Sequence, residues 1–126
     1  MRNKFIKYLY FFSFIFLFLE KSHSEEIFNF DVTEIEILEN GNKFIGKKGG
    51  TAKSNDGKTI KAENFLYDKN KNILIAIGNV EINDKIDDVT IYSDKITYYK
   101  NEELVLTDGN SRAVNDDIEI DADKFN

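Results

Sequence analysis

The chain has 126 residues and a formal net charge of −6, and it contains no cysteine, proline or tryptophan. This length suits one domain, and the absence of cysteine excludes disulfides and thiolate chemistry. The net negative charge repels phosphate backbones, so we expect no nucleic-acid partner.

Residues 1–24 have the pattern of a secretory signal peptide. Three basic residues begin the segment, an apolar run broken only by Ser13 extends from Tyr8 to Leu19, and small residues occupy the −3 and −1 positions before Glu25. An uncleaved membrane anchor is the alternative. A spanning helix, however, needs ~20 apolar residues, and the run from Tyr8 to Leu19 is shorter than that. We therefore predict a signal peptide over 1–24 and a secreted domain over 25–126.

Removing this segment makes the protein more acidic. It holds four of the 17 basic and one of the 23 acidic residues, so 13 basic and 22 acidic residues remain and the net charge is −9. That sign disfavours adsorption to anionic membrane surfaces.

One motif recurs along the rest of the chain. Apolar or small residues occupy offsets 0, 2, 5 and 7 from starts at Phe30, Ile60, Ile91 and Ile120, and the last copy is cut short where the sequence stops. The residue after the second position is Thr33, Glu63, Asp94 or Asp123, and Gly49, Gly78 and Gly109 follow their starts by 19, 18 and 18 residues. A repeat this regular indicates a repeat-built architecture rather than chance alternation.

The offsets predict bent strands. Steps of 2 keep side chains on one face of a strand, whereas the step of 3 moves them to the other face unless the strand bends or bulges there. Each copy is therefore predicted to be a bent β-hairpin with a concave apolar face.

The predicted elements follow in chain order. Strands rich in Ile, Val, Thr, Phe and Tyr alternate with Gly, Asn and Asp clusters, which is typical of β proteins. The predicted strands are 30–38, 43–46, 59–67, 72–82, 89–99, 103–107 and 118–125, with short strands around Asp108 to Asn110. A type I′ turn is predicted at Asn40-Gly41, a loose connection at 47–50, and further turns at 55–57, 68–71 and 83–88.

These elements predict an all-β fold of roughly nine short antiparallel strands in a curved sheet that does not close. Both terminal strands would then be edges with unpaired backbone groups. Either the chain is the front part of a longer protein, or the edges pair with neighbouring modules by β-strand addition.

Catalytic residues are scarce. The single histidine, His23, lies in the signal segment, so Ser54, Ser93 and Ser111 have no imidazole to activate them. The acidic turns, Asp84 with Asp87 and Asp88, and Asp116 with Asp117, lack the twelve-residue calcium loop and are interpreted as solvated. We expect no enzyme, no cofactor and no metal; a carboxylate enzyme would lose activity on substitution of Asp87 or Asp88.

The repeated apolar positions predict either an ordinary filled core or a groove for acyl chains. The residues predicted to line the groove are Ile35, Ile37, Ile60, Phe65, Tyr67, Ile75, Ile77, Val80, Ile82, Ile91, Ile96, Tyr98, Leu104 and Leu106. Which face of residues 73–77 points into the groove is ambiguous, because both faces of this strand are apolar.

Three segments resemble the OstA-like domain. They are Ile60 to Lys69, Asn72 to Ile82 with Gly78-Asn79-Val80 at its centre, and Ile91 to Tyr98. The resemblance covers residues 28–126, although Gly49-Gly50 is not followed by the Asn-Val of the family pattern. The lipopolysaccharide transport proteins LptA and LptC and the periplasmic front part of LptD share this domain.

The resemblance implies a twisted antiparallel β-jellyroll, open along one side, whose modules stack by edge-strand pairing into a periplasmic bridge. Lipopolysaccharide and other modules of this kind are the implied partners, and outer-membrane association is implied if the chain begins an LptD-type protein. An LptD-type front is favoured over a short LptA. The alternative is a secreted structural β-repeat protein with a filled core and no lipid.

Overall fold

The computed structural model describes residues 27–125, which form nine strands. The strands are β1 (Phe28–Leu38), β2 (Lys43–Ser54), β3 (Lys58–Ala62), β4 (Asn64–Asp68), β5 (Ile73–Asp84), β6 (Val89–Tyr99), β7 (Leu104–Asp108), β8 (Ser111–Val114) and β9 (Glu119–Ala122). A 3-10 turn, Glu39–Gly41, joins β1 to β2. The prediction of an all-β fold is confirmed, while the signal peptide predicted for 1–24 lies outside the described residues.

All nine strands belong to one antiparallel sheet. Its order is β1-β2-β3-β5-β6-β8-β9, with β4 also paired to β2 and β5, and β7 also paired to β6. The long strands β2, β5 and β6 therefore each pair along their length with shorter strands in succession. In residues 27–125 no helix is long and apolar enough to cross a membrane.

The sheet bends along a line where the two halves of the sequence repeat meet. The backbone N–H of Glu63 donates to the carbonyl of Gly78 at 3.1 Å, and that of Asp94 donates to the carbonyl of Gly109 at 2.9 Å. Register shifts occur on the same line between Val32 and Glu34 and between Ile77 and Val80. We call this line the corner row; it consists of Thr33, Gly49, Glu63, Gly78, Asp94, Gly109 and Asp123.

Side chains reinforce the bend at two places in the corner row. The amide Nδ2 of Asn79 donates to Oε1 of Glu63 at 2.7 Å, and Nδ2 of Asn110 donates to Oδ2 of Asp94 at 2.8 Å. Asn79 has φ +45° and follows Gly78 with φ +89°, a conformation that Gly and Asn tolerate better than other residues. The recurring acid and the recurring Gly-Asn pair therefore form one structural unit.

We expect Gly78→Ala to destabilise the fold by about 2 kcal/mol, since an alanine Cβ there would lie 2.3 Å from Oε2 of Glu63 and the φ is positive. Gly41→Ala is the matched control, because Gly41 has φ +91° with no atom within 4 Å of the added Cβ. Urea unfolding followed by circular dichroism should show the larger loss for Gly78→Ala. Equal losses of unfolding free energy would mean that the positive φ, and not the contact with Glu63, causes the destabilisation at position 78.

The corner row divides the sheet into two layers that face each other. The first layer contains β3, β8, β9 and the adjoining parts of β1, β2, β5 and β6; the second layer contains β4, β7 and the remaining parts of the long strands. Phe28 of the first layer has its ring centroid 5.0 Å from that of Tyr67 and 5.8 Å from that of Tyr98, both in the second layer. The space between the layers is the interior, and the margin opposite the corner row is called the mouth.

Three local predictions differ from the structure. Residues 47–50, expected to be a loose connection, lie inside the continuous strand β2, because β1 pairs with it on both sides of the bulge. Residues 59–67, predicted as one bent strand, form two strands separated at Glu63, which is where the repeat spacing predicts the bend. The turn after β1 has positive φ at Glu39, Asn40 and Gly41, and is therefore longer than the predicted two-residue turn.

Candidate functional site

The interior surface of the first layer is a continuous apolar row that crosses seven strands. Antiparallel pairing places these residues side by side on one face, because directly paired residues point to the same side of a sheet. The row runs Phe30, Ala52, Ile60, Ile82, Ile91, Ala113 and Ile120. At ~4.8 Å per strand the row is roughly 29 Å long.

Two rows cross the second layer in the same way. The row nearer the mouth runs Ile37, Phe44, Tyr67, Leu74, Tyr98 and Val105, and the row nearer the corner runs Ile35, Gly46, Phe65, Ala76, Ile96 and Thr107. The 2-3-2 spacing of the repeat therefore places each copy's apolar set on the interior side of both layers.

The structure divides the predicted groove residues between two faces. Those on the interior face are Ile35, Ile37, Ile60, Phe65, Tyr67, Val80, Ile82, Ile91, Ile96 and Tyr98. Ile75, Ile77, Leu104 and Leu106 lie on the outer face of the second layer, which corrects their assignment to the interior. Their strand neighbours Leu74, Ala76, Val105 and Thr107 point inward instead.

The interior is filled in the middle and exposed at both ends. Leu74, Ile96 and Tyr98 are 0% exposed. Towards β1, Ile35 and Ile37 are 47% and 60% exposed, and towards β9, Ile120 is 52% exposed. The apolar rows thus continue to both ends of the sheet, where they are no longer covered by the chain itself.

Aromatic side chains gather at the β1 end of the interior. Phe30 stacks beside Phe44 with ring centroids 6.2 Å apart, and its centroid lies 6.1 Å from that of Phe65 in an edge-to-face arrangement. Phe28 and Phe44 are not among the groove residues predicted from the sequence. Phe28 could have been found as the residue two positions before the first repeat start, which continues the alternation of that strand.

Charged and hydroxyl groups close the mouth. Oη of Tyr98 donates to Oδ2 of Asp56 at 2.5 Å, and Nζ of Lys100 lies 3.4 Å from the same oxygen. Nζ of Lys58 lies 3.2 Å from Oδ2 of Asp56 and 3.5 Å from Oδ2 of Asp84. We call these five residues the clasp, because Asp56 belongs to the turn between β2 and β3, while Tyr98 lies at the end of β6 and Lys100 directly follows that strand.

The clasp shifts the pKa of its own members. Burial by itself would raise the pKa of Asp56, but hydrogen bonds from Ser54, Tyr98 and Lys58 outweigh it and hold the pKa well below its usual range. Burial and the hydrogen bond to Asp56 raise the pKa of Tyr98 far above its usual range. Burial would lower the pKa of Lys58, but the hydrogen bond and charge of Asp56 and the charge of Asp84 outweigh it and raise the pKa. At neutral pH the clasp therefore combines charged Asp56 and Lys58 with a neutral Tyr98 that donates.

The sequence predicts a solvated turn acid at Asp84, and the structure gives this residue a different role. Its side chain is buried, and its Oδ1 accepts hydrogen bonds from the backbone N–H groups of Ile86 and Asp87. Its Oδ2 faces Lys58. In residues 27–125 every buried side-chain nitrogen or oxygen has a hydrogen-bond partner, so the buried polar groups are already satisfied.

The two outer faces differ in character. The outer face of the first layer is polar, and a shallow depression there is lined mainly by Thr51, Lys53, Thr59 and Lys61. The outer face of the second layer carries a partly exposed apolar row of Ile45, Leu66, Ile75 and Leu106, interrupted by Thr97. The strands β1 and β9 stand at the two ends of the sheet order, so each presents one edge to the outside of the sheet.

Comparison with known proteins identifies relatives of this architecture. A family profile described as OstA-like protein matches residues 24–126, while none of the curated proteins compared with the chain matches it. One similar solved structure is LptH, described as the LptA homologous periplasmic component of the conserved lipopolysaccharide transport device from Pseudomonas aeruginosa. The two structures have a TM-score of 0.69 and 10% sequence identity, over 77% of this chain and 72% of that chain.

At this sequence identity the similarity to LptH shows the fold alone, and it confirms the predicted jellyroll-like antiparallel architecture. The family profile, by contrast, spans nearly the whole chain, including every strand that the structure describes. The protein is therefore a member of the OstA-like protein family.

Proposed function

We propose that this protein is a non-enzymatic periplasmic module that carries lipopolysaccharide towards the outer membrane, with the acyl chains in its interior. The observation that carries the proposal is the set of inward apolar rows that remain exposed at Ile35, Ile37 and Ile120. Such open ends let the interior of one module continue into that of the next. Family membership and the similarity to a periplasmic transport component support the same function.

The proposal includes neighbouring modules of the same kind as partners. Because β1 and β9 are the terminal strands of the sheet, a neighbour can extend the sheet by pairing with either edge. Edge pairing would keep the interior rows in line from one module to the next, and would cover Ile35 and Ile37 at one end. The predicted signal peptide over 1–24 supports export to the periplasm.

The test compares two isoleucines that differ in face and match in exposure. Ile35 on the interior face is 47% exposed and Ile77 on the outer face is 46% exposed. We expect benzoylphenylalanine at position 35 to form an adduct with lipopolysaccharide on irradiation. The same residue at position 77 should give an adduct yield about tenfold lower, since only position 35 adjoins the interior rows. Adducts in equal yield, or at position 77 alone, would contradict a lipid-carrying interior.

A structural β-repeat module is the second candidate function. The complete burial of Leu74, Ile96 and Tyr98 favours it, because an interior filled along its middle resembles an ordinary core. Under this function neither position 35 nor position 77 forms a lipid adduct.

The reading frame beyond Asn126 separates LptA-type from LptD-type modules, since a following outer-membrane barrel pattern would indicate LptD.

A further inference from the structure

The filled middle of the interior raises a question for the proposed function, on which this inference rests. Acyl chains need space between the layers, yet Ile60, Leu74 and Ile96 are fully buried. The layers must therefore separate to admit a ligand, and the corner row joins them on the other side. Separation at the mouth has to break the contacts of Asp56 with Tyr98 and Lys100, which join the two layers.

The hydrogen bond and the ion pair that cross the mouth meet at one oxygen. Oδ2 of Asp56 accepts from Tyr98 at 2.5 Å and faces Nζ of Lys100 at 3.4 Å. The side chain of Lys100 is 11% exposed and that of Asp56 is 20% exposed. Separating the layers would leave Lys100 with Glu103 as its remaining acidic neighbour, at 4.0 Å.

The clasp residues also lie where a headgroup would be held. Lys58 precedes Ile60 by two residues on the interior side of β3, and Lys100 follows Tyr98 by two residues, directly after the end of β6. Both ammonium groups therefore lie at the boundary between the apolar interior and the solvent. An amphiphile with its chains in the interior would have its headgroup at this boundary.

We propose that Lys58 and Lys100 form a binding site for the phosphate groups of an acylated ligand, and that Asp56 occupies this site while the mouth is closed. On opening, Lys100 exchanges Asp56 for a ligand phosphate and Lys58 supplies the second positive charge, so the ligand replaces the ionic contact that opening breaks. A ligand with the same acyl chains and no phosphate also breaks the ion pair to Asp56 on opening, but it offers the lysines no anion in its place. Because a ligand shifts an equilibrium only by its differential affinity for the two states, the phosphate favours the open state.

Affinity ratios for two lipid probes test the site. The probes are lipid A with its phosphates and the same lipid A after dephosphorylation, both presented in one neutral detergent. We expect wild-type protein to bind the phosphorylated probe roughly tenfold more tightly, the size of one charge-assisted contact, and Lys100→Gln to reduce this ratio to about 2 or less. Lys61→Gln is the matched control, since Lys61 is exposed on the outer face of the first layer, and it should leave the ratio unchanged.

Two further measurements separate clasp opening from damage to the fold. Tyr98→Phe keeps the buried ring and removes the hydrogen bond to Asp56, so both probes should bind more tightly by the same factor, about tenfold. Thermal unfolding midpoints identify any variant that is destabilised. Partial unfolding lowers the apparent affinity for both probes by the same factor, so the ratio of the two affinities still reports on the folded protein. Inorganic phosphate alone should bind too weakly to compete at millimolar concentration.

The outcomes are distinguishable. If wild-type protein binds both probes equally, or Lys100→Gln retains the full ratio, the phosphate site is refuted and the proposed transport function stands. Binding of inorganic phosphate with the same dependence on Lys100 would make the site a general anion site and refute its coupling to acyl chains. If neither probe binds wild-type protein, the proposed function itself fails.

Discussion

Replacing Gly50 by alanine is expected to lower the free energy of unfolding by about 3 kcal/mol or more. An alanine Cβ at this position would lie 2.4 Å from the carbonyl oxygen of Asp31 and 2.6 Å from the Cα of Val32. Both atoms belong to the backbone of β1, so no side-chain rotation relieves the contact. Strand β1 must then move away from β2 beside the bulge.

Gly46→Ala is the matched control, because Gly46 lies in the same strand and its added Cβ meets side-chain atoms of Val32 and Phe65 at 3.1 and 3.4 Å. Side chains can shift by a few tenths of an ångström, so we expect a loss of about 1 kcal/mol. Urea unfolding gives both values, and hydrogen exchange of residues 34–38 reports the pairing of β1. Similar losses for the two variants would show that β1 accommodates a side chain at position 50.

Loss of the Asp56 carboxylate is expected to destabilise the protein in a pH-dependent way. Its side chain accepts from Tyr98, Lys58 and Ser54 and faces Lys100. Removing one partner from such a network costs about 2–4 kcal/mol. Because the folded-state pKa of Asp56 is depressed, this stabilisation is present above the unfolded-state pKa of ~3.9 and is lost as the pH falls towards the folded-state pKa.

The measurement is the difference in unfolding free energy between wild type and Asp56→Asn at pH 7 and at pH 3. We expect about 2–4 kcal/mol at pH 7 and a clearly smaller difference at pH 3, since the unfolded wild type then binds a proton at Asp56 that the folded protein, with its depressed pKa, does not bind. The other acidic residues are common to both proteins and cancel in the difference. Asp87→Asn, at an exposed turn position, should change stability by less than about 0.5 kcal/mol at both pH values. A difference for Asp56→Asn that does not depend on pH would refute the charged role.

The strands and the bend could be predicted because both depend on local periodicity. The spacing of Phe65 and Tyr67 after Ile60 and Ala62 indicates a change of face between them, and the structure places a bend at Glu63 with all four side chains buried. The recurring glycines were visible in the sequence as well. Their pairing with the acidic positions was not, since Glu63 and Gly78 are brought together by strand pairing over 15 residues.

The face of a uniformly apolar strand could not be predicted in this way. Residues 73–77 read Ile-Leu-Ile-Ala-Ile, so alternation gives no signal, and pairing with Tyr67 and Tyr98 decides that Leu74 points inward. The same pairing places Val105 inward and Leu104 outward. The clasp was also missed, because Asp56 and Tyr98 are 42 residues apart and each looks like an ordinary turn or strand residue.

The sequence by itself determined the all-β class, the repeat, the position of each bend and the identity of most interior side chains, because strand periodicity and turn chemistry are properties of neighbouring residues. Tertiary structure decided which side of β5 and β7 faces inward, how far the interior is filled, and which charged residues meet across the mouth. These features depend on pairing between segments that are distant in the sequence. The strand register and the burial achieved by the whole sheet, and not local preference, determine which arrangement is most stable.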